Sequence, residues 1–124
     1  MADKIEAYKH NQVQATGAIE IAPQVIENIA AATALQSKGV RAIKRANKTI
    51  QDVFQRDAGV ILYQNNRNEM VLDMSVELYF GTAVIAVAQN IQSQVIDQVK
   101  YMTDITIDVV NVHVTNLYME KASK

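Results

Sequence analysis

The chain changes its hydrophobic period several times, and each change marks an element. Between Thr82 and Met102 the apolar residues Val84, Val87, Ala88, Ile91, Val95, Val99 and Met102 recur at intervals of three and four. At about 100° per residue this spacing gathers them on one side of a long helix. Asn90, Ser93, Gln94 and Asp97 fall on the opposite side, an outer face of amides and hydroxyls suited either to water or to self-association. Met70, Leu72, Met74, Val76, Leu78 and Phe80 are apolar, and Asp73, Ser75 and Glu77 between them are polar. That period of two predicts a strand with one buried side. Its partner is Val60 to Gln64, joined through Asn65, Asn66, Arg67 and Asn68, residue types that suit the turn of a hairpin.

Upstream, Val13, Ala15, Gly17, Ile19 and Ile21 alternate with Gln14, Thr16, Ala18 and Glu20 and predict a first strand. Pro23 then opens a helix with the stripe Val25, Ile26, Ile29, Ala30 and Thr33, which Gly39 stops. From Val40 to Gly59, Ile43, Ala46, Ile50, Val53 and Phe54 gather on one side of a helical wheel. Arg41, Lys44, Arg45, Lys48 and Arg56 gather on the other with Asp52 among them, which predicts a basic amphipathic helix ending at Gly59. In the last segment Ile105, Ile107 and Val109 keep one parity, and Val110, Val112 and Val114 the other. One sheet face cannot hold both sets, so the pattern requires a bulge near Val109 and Val110 or burial on both faces. Together these elements predict an α+β domain in the order β-α-α-β-β-α-β, with a small sheet of three or four strands and the helices packed mainly on one face. Residues 13–116 form that domain, between a flexible N-terminal segment, 1–12, and a C-terminal tail, 117–124.

A chain of 124 residues makes one domain that buries roughly two thirds of its unfolded surface. There is no cysteine, which excludes disulfides and thiolate chemistry and permits a reducing compartment. The opening MADKIEAYKHNQVQ carries charges where a signal peptide needs an apolar core, and no run of ~20 apolar residues follows. The expectation is a cytoplasmic protein for which peripheral membrane association stays open. A net charge of −1 gives no global pull toward nucleic acid or anionic lipid. Any such pull has to come from the local face of Arg41, Lys44, Arg45 and Lys48. Each cation is worth ~1 kcal/mol at an anionic surface, so this face either binds phosphate weakly or simply stays solvated.

Catalysis and metal binding lack their parts. His10 and His113 are the two imidazoles, too few for a zinc set without cysteine. Asp73 and Glu77 share a strand face four positions apart, about 13 Å at ~3.3 Å per residue, too far to act together on one bond. Gly17 and Gly81 stand alone, so no phosphate loop is present. Two helices with intervening strands resemble a KH module, but the GXXG clamp is missing and the sheet has no aromatic platform, which disfavours nucleic acid. No cofactor, small-molecule substrate or catalytic residue is expected.

Two segments resemble the alkaline shock protein family, small envelope-stress proteins widespread in Gram-positive bacteria. The first is GAIEIAPQVIENIAAA at Gly17 to Ala32, followed by Lys38-Gly39-Val40. The second runs from Val76 through Val114, with Phe80-Gly81, Val87-Ala88, Ile91-Gln92, Met102-Thr103 and Asn111-Val112-His113-Val114. Asp104 stands where the family commonly has glycine, and Phe80 where it commonly has tyrosine. The resemblance implies a nonenzymatic stress-response protein that acts as a scaffold or interaction module near the membrane, held by a protein anchor or by its own copies. It also implies an alternative, a regulatory adaptor of fatty-acid synthesis through acetyl-CoA carboxylase. Direct binding of anionic lipid or RNA through the basic helix is the remaining alternative.

Overall fold

The computed structural model describes residues 8–9, 16–43 and 59–119. Its elements are β1 (Tyr8–Lys9), β2 (Glu20–Ile21), α1 (Pro23–Leu35), β3 (Val40–Ile43), β4 (Val60–Gln64), β5 (Met70–Tyr79), α2 (Val84–Thr103) and β6 (Val109–Tyr118). β5 is the axis of the main sheet. Its first half, Met70 to Met74, pairs antiparallel with β4, and its second half, Val76 to Leu78, pairs antiparallel with β3. The two short strands therefore lie end to end along one edge of β5. The other edge carries β6 in parallel, from Val71 opposite Val109 to Tyr79 opposite Tyr118. Parallel neighbours need a long crossover, and α2 supplies it. The result is an α+β domain with a mixed four-stranded sheet.

Alternation on β5 settles which side is the core. Met70, Leu72, Met74, Val76 and Leu78 point to the helices and are buried with Ile26, Ile29, Ala30 and Ala34 of α1 and Ile91, Val95 and Val99 of α2. Both helices thus cover one face of the sheet. The hairpin between β4 and β5 closes as its residue types predict. Asn65 Oδ1 accepts from the backbone N–H groups of Arg67 and Glu69 at 2.9 and 3.0 Å, and Asn68 takes a left-handed φ of 63°. Asparagine tolerates that conformation better than other residues with a side chain. Gly39 has a φ of 92°, and a Cβ there would lie 2.9 Å from Thr82 Cγ2. Glycine therefore lets the chain leave α1 beneath the turn that precedes α2.

Several details depart from the sequence pattern. The first strand is confined to Glu20–Ile21, residues 16–19 lie outside any strand, and Ile19 is exposed. Glu20 and Ile21 pair with Lys9 and Tyr8, so ordered pairing reaches into the segment 1–12 expected to be flexible. Likewise Leu117 and Tyr118 belong to β6 rather than to a tail. Val40–Ile43, expected as the first turn of a basic helix, form β3, because the edge of β5 beyond β4 needs a partner for its backbone groups. The remainder of that expected helix, with Lys44, Arg45 and Lys48, lies outside the described residues. In α1 Val25 is exposed and Thr33 half-buried, while Glu27 is buried.

In α2 Met102 is exposed, and the buried place near the helix end goes to Thr103. The Thr103 hydroxyl donates to the Val99 carbonyl at 2.7 Å and accepts from the Ile105 N–H at 3.1 Å. Satisfying the last turn of the helix outweighs burying a thioether. The parity conflict in the last segment is resolved before the strand begins. Ile105 and Ile107 are buried in the connection that precedes β6, and Val110 takes over the inward side inside it. The bulge itself falls further on, between Val114 and Asn116.

Candidate functional site

Two polar arrangements lie outside the core, one on each side of the molecule. The first is on the face of the sheet away from the helices. Arg41 Nη1 donates to Glu77 Oε1 at 2.9 Å, and its guanidinium carbon stands 4.0 Å from the centre of the Tyr118 ring. Arg41, the first of the four basic residues singled out in the sequence, is thus on a strand and already committed to a carboxylate and an aromatic ring. Asp73, four positions earlier, has partners of its own. Its Oδ1 accepts from Asn111 Nδ2 at 2.8 Å and lies 3.8 Å from His113 Nε2. Desolvation pushes the neighbouring Tyr63 phenol above its ordinary pKa, and the charge of Asp73 and a hydrogen bond to it push in the same direction. Asp73 and Glu77 therefore serve separate networks, each tying β5 to a neighbouring strand. His113 is exposed on this face, as its parity predicts. Among the described residues no group of three or more His, Asp or Glu could hold a metal ion.

The second arrangement is on the helix side. Ser37 Oγ donates to Gln94 Oε1 at 2.9 Å, and Gly39 sits against Thr82 and Val87. The end of α1 therefore lies beside the middle of α2, and the chain leaving it runs toward the start of α2, so the helices run antiparallel. Between their outer sides is a groove of about 700 Å³. Its α1 wall consists of Val25, Asn28, Ile29, Ala32, Thr33 and Gln36, and its α2 wall of Gln94, Asp97, Gln98 and Met102. Val25 and Met102 stand on it 45% and 56% exposed, large apolar side chains that leave the core and face solvent. Of the amide-rich set Asn90, Ser93, Gln94 and Asp97, the groove brings together Gln94 and Asp97. Asn90 and Ser93 are exposed outside it.

Sequence reasoning treated Met102 and Val25 as core and so missed the apolar part of this surface. The signal was present as excess. Each helix carries apolar positions beyond the stripe that the sheet buries, Val25 on α1 and Met102 on α2. Glu27 was missed for a different reason. It is 4% exposed, and its Oε2 accepts from the Leu62 N–H of β4 at 2.8 Å, a helix-to-strand latch set by tertiary position alone. The one hydroxyl on the groove, that of Thr33, donates to the Ile29 carbonyl at 2.7 Å. What the groove offers is apolar area, amides, a hydroxyl and one carboxylate. No helix among the described residues is long and apolar enough to cross a membrane.

No curated protein matches the chain in sequence. Two solved MamM CTD structures are remotely similar to it. One is 12% identical with a TM-score of 0.49, covering 80% of this chain and 97% of that one. The other, a zinc form, is 14% identical with a TM-score of 0.44, covering 79% and 86%. Likeness at this level carries no residue, ligand or assembly across. A family model does match, over residues 11–119, and its family is described as having a cell envelope-related function. With nearly the whole described structure inside that match, the chain belongs to the alkaline shock protein family.

Proposed function

We propose that this is a nonenzymatic stress-response domain that works at the cell envelope by holding protein partners, and that the groove between α1 and α2 is where it holds them. One observation carries the reading: large apolar side chains of both helices, Val25 and Met102, turn away from the core and line a common groove beside side-chain amides. Apolar side chains gathered in one concave patch and rimmed by polar groups are the make-up of an interaction surface. The family's cell envelope-related function supplies the setting, and a protein anchor is the means of reaching it. The basic face of the sequence supports a lipid or RNA reading less, because Arg41 is taken up by Glu77 and Tyr118.

Photocrosslinking in the native cell tests this. A photoreactive residue at Gln98, in the groove, is compared with one at Arg67, on the hairpin turn. Protein adducts from Gln98 that Arg67 does not give are the expected outcome. Equal recovery from both positions would show the groove to be an ordinary solvated surface.

A further inference from the structure

We propose that the groove takes a single amphipathic helix, about three turns long, from a partner protein that sets a lysine or arginine against Asp97. The inference rests on the docking reading above and names the occupant. The walls describe it. Along α1 and its C-cap the lining positions fall at i, i+3, i+4, i+7, i+8 and i+11 from Val25 to Gln36, one helical face, and Gln94, Asp97, Gln98 and Met102 of α2 form a matching stripe. Two such stripes side by side form the ridges between which a third helix lays its own side chains at i, i+3, i+4 and i+7. The α1 stripe spans eleven steps of the chain, about 17 Å at ~1.5 Å per residue, which is three turns of an occupant.

Ala32 lies in the middle of that stripe, small enough to let an incoming helix approach closely, while Val25 and Met102 supply apolar area. An extended peptide gains its affinity from the free backbone of a sheet edge. Two helices offer none, since their backbone groups are spent internally. Asp97 is the one ionisable residue among the lining side chains. A helix laid over it removes water from its carboxylate, and a carboxylate losing water has to be paired. The occupant therefore brings a cation. Gln94 is held in place by the Ser37 hydroxyl on its Oε1, which leaves its NH₂ to donate to the same segment. An anionic lipid surface is the wrong match, because Asp97 repels its headgroups.

The test introduces a photoreactive residue at Gln98 in three backgrounds in the native cell: parent, Asp97→Lys and Asp97→Asn. The crosslinked peptides are identified by mass spectrometry. The peptide is expected to carry aliphatic residues at intervals of three and four together with a lysine or arginine. Asp97→Lys is expected to lower its yield about tenfold or more, and Asp97→Asn by less. Changing the partner's cation to glutamate should restore capture by Asp97→Lys, an outcome that general damage to the domain would not give. Capture that is indifferent to the charge at position 97, or that maps to a segment without this pattern, overturns the inference and leaves the docking reading intact. Adducts confined to a second copy of this chain or to lipid also overturn it. If Gln98 yields no adducts at all, the inference and the docking reading fall together.

Discussion

Helix α2 has two sides that differ both in composition and in surroundings. Ile91, Val95 and Val99 are fully buried against the sheet, while Gln94, Asp97, Gln98 and Met102 look out over the groove. Strand β5 repeats the contrast. Met70 to Leu78 on its even positions are packed under the helices, and Asp73 and Glu77 on its odd positions are paired with polar groups of neighbouring strands. On the inner side each residue is held by many weak apolar contacts that fail together when one charge enters. On the outer side of the sheet the polar residues are held by a few named partners, and losing one costs only that pair. Stability sits between the sheet and the helices, and the residues free to specify a partner sit outside it.

The sharpest way to break this comparison is to place the same charge on both sides of α2. Val95→Asp puts an unpaired carboxylate into the core and should cost several kcal/mol against a total of only ~5–15, leaving the chain unfolded or melting far below the parent. Gln98→Asp, three residues on and facing solvent, should change stability by less than ~0.5 kcal/mol. Thermal melts followed by circular dichroism compare the two. Similar losses for both would mean that the faces of α2 are wrongly assigned.

Arg41→Ala tests the outer side of the sheet. Glu77 is 7% exposed and would lose its cation, while the Tyr118 ring would lose its cover. Because the Arg41 side chain is itself 38% exposed, solvent screens part of the pair, and the loss should be about 1–2 kcal/mol. Urea denaturation should show a lower midpoint with an unchanged slope. A loss as large as that of Val95→Asp would put the stability of the domain on the wrong face.

Asp104→Gly should act in the opposite direction. Asp104 ends α2 with a φ of 67°, a left-handed conformation that costs a residue with a side chain up to ~1–2 kcal/mol and aspartate somewhat less. Glycine removes that strain and gives up the 4.0 Å contact with Lys100, which is worth little at an exposed site. A net gain of about 0.5–1 kcal/mol, read as a higher melting temperature, is expected. A lower one would show that the side chain of Asp104 caps the helix end.

The smallest effect expected is spectroscopic. Asp73→Asn removes the charge that, together with desolvation, holds the Tyr63 phenol above its ordinary pKa. Its phenolate absorbance, assigned by difference from Tyr63→Phe, should then rise at lower pH. The sign for stability follows. A phenol that keeps its proton longer when folded stabilises the fold below the ordinary tyrosine range, and that contribution is lost as pH rises through the raised value. An unmoved titration would mean that desolvation alone sets the shift.

Much of this could be read from local pattern. The alternation from Met70 to Leu78 and the three-and-four spacing from Val84 to Val99 identify β5 and α2, because each side chain there needs only to know which way its own backbone points. The asparagine-rich turn is equally local, since Asn65 bonds its own neighbours. The resemblance at Gly17 to Val40 and Val76 to Val114 was legible for the same reason, a motif being local order. The groove was half legible. Gln94 and Asp97 could be placed on the outer face of α2, but nothing in α2 reveals that α1 lies alongside it.

By itself, then, the sequence determined the elements with strong periods, the side of each that is buried, the turn between β4 and β5 and the family. Tertiary structure alone decided that Val40–Ile43 is a strand, because an unpaired edge of β5 required it despite a helical spacing of charges. It alone committed Arg41 to Glu77 and Tyr118, buried Glu27 on the Leu62 N–H, and turned Met102 outward by giving Thr103 the end of the helix. Periodicity reports the direction of a side chain relative to its own backbone. What stands in that direction is set by residues dozens of positions away, and the partners that make a surface functional are of that kind.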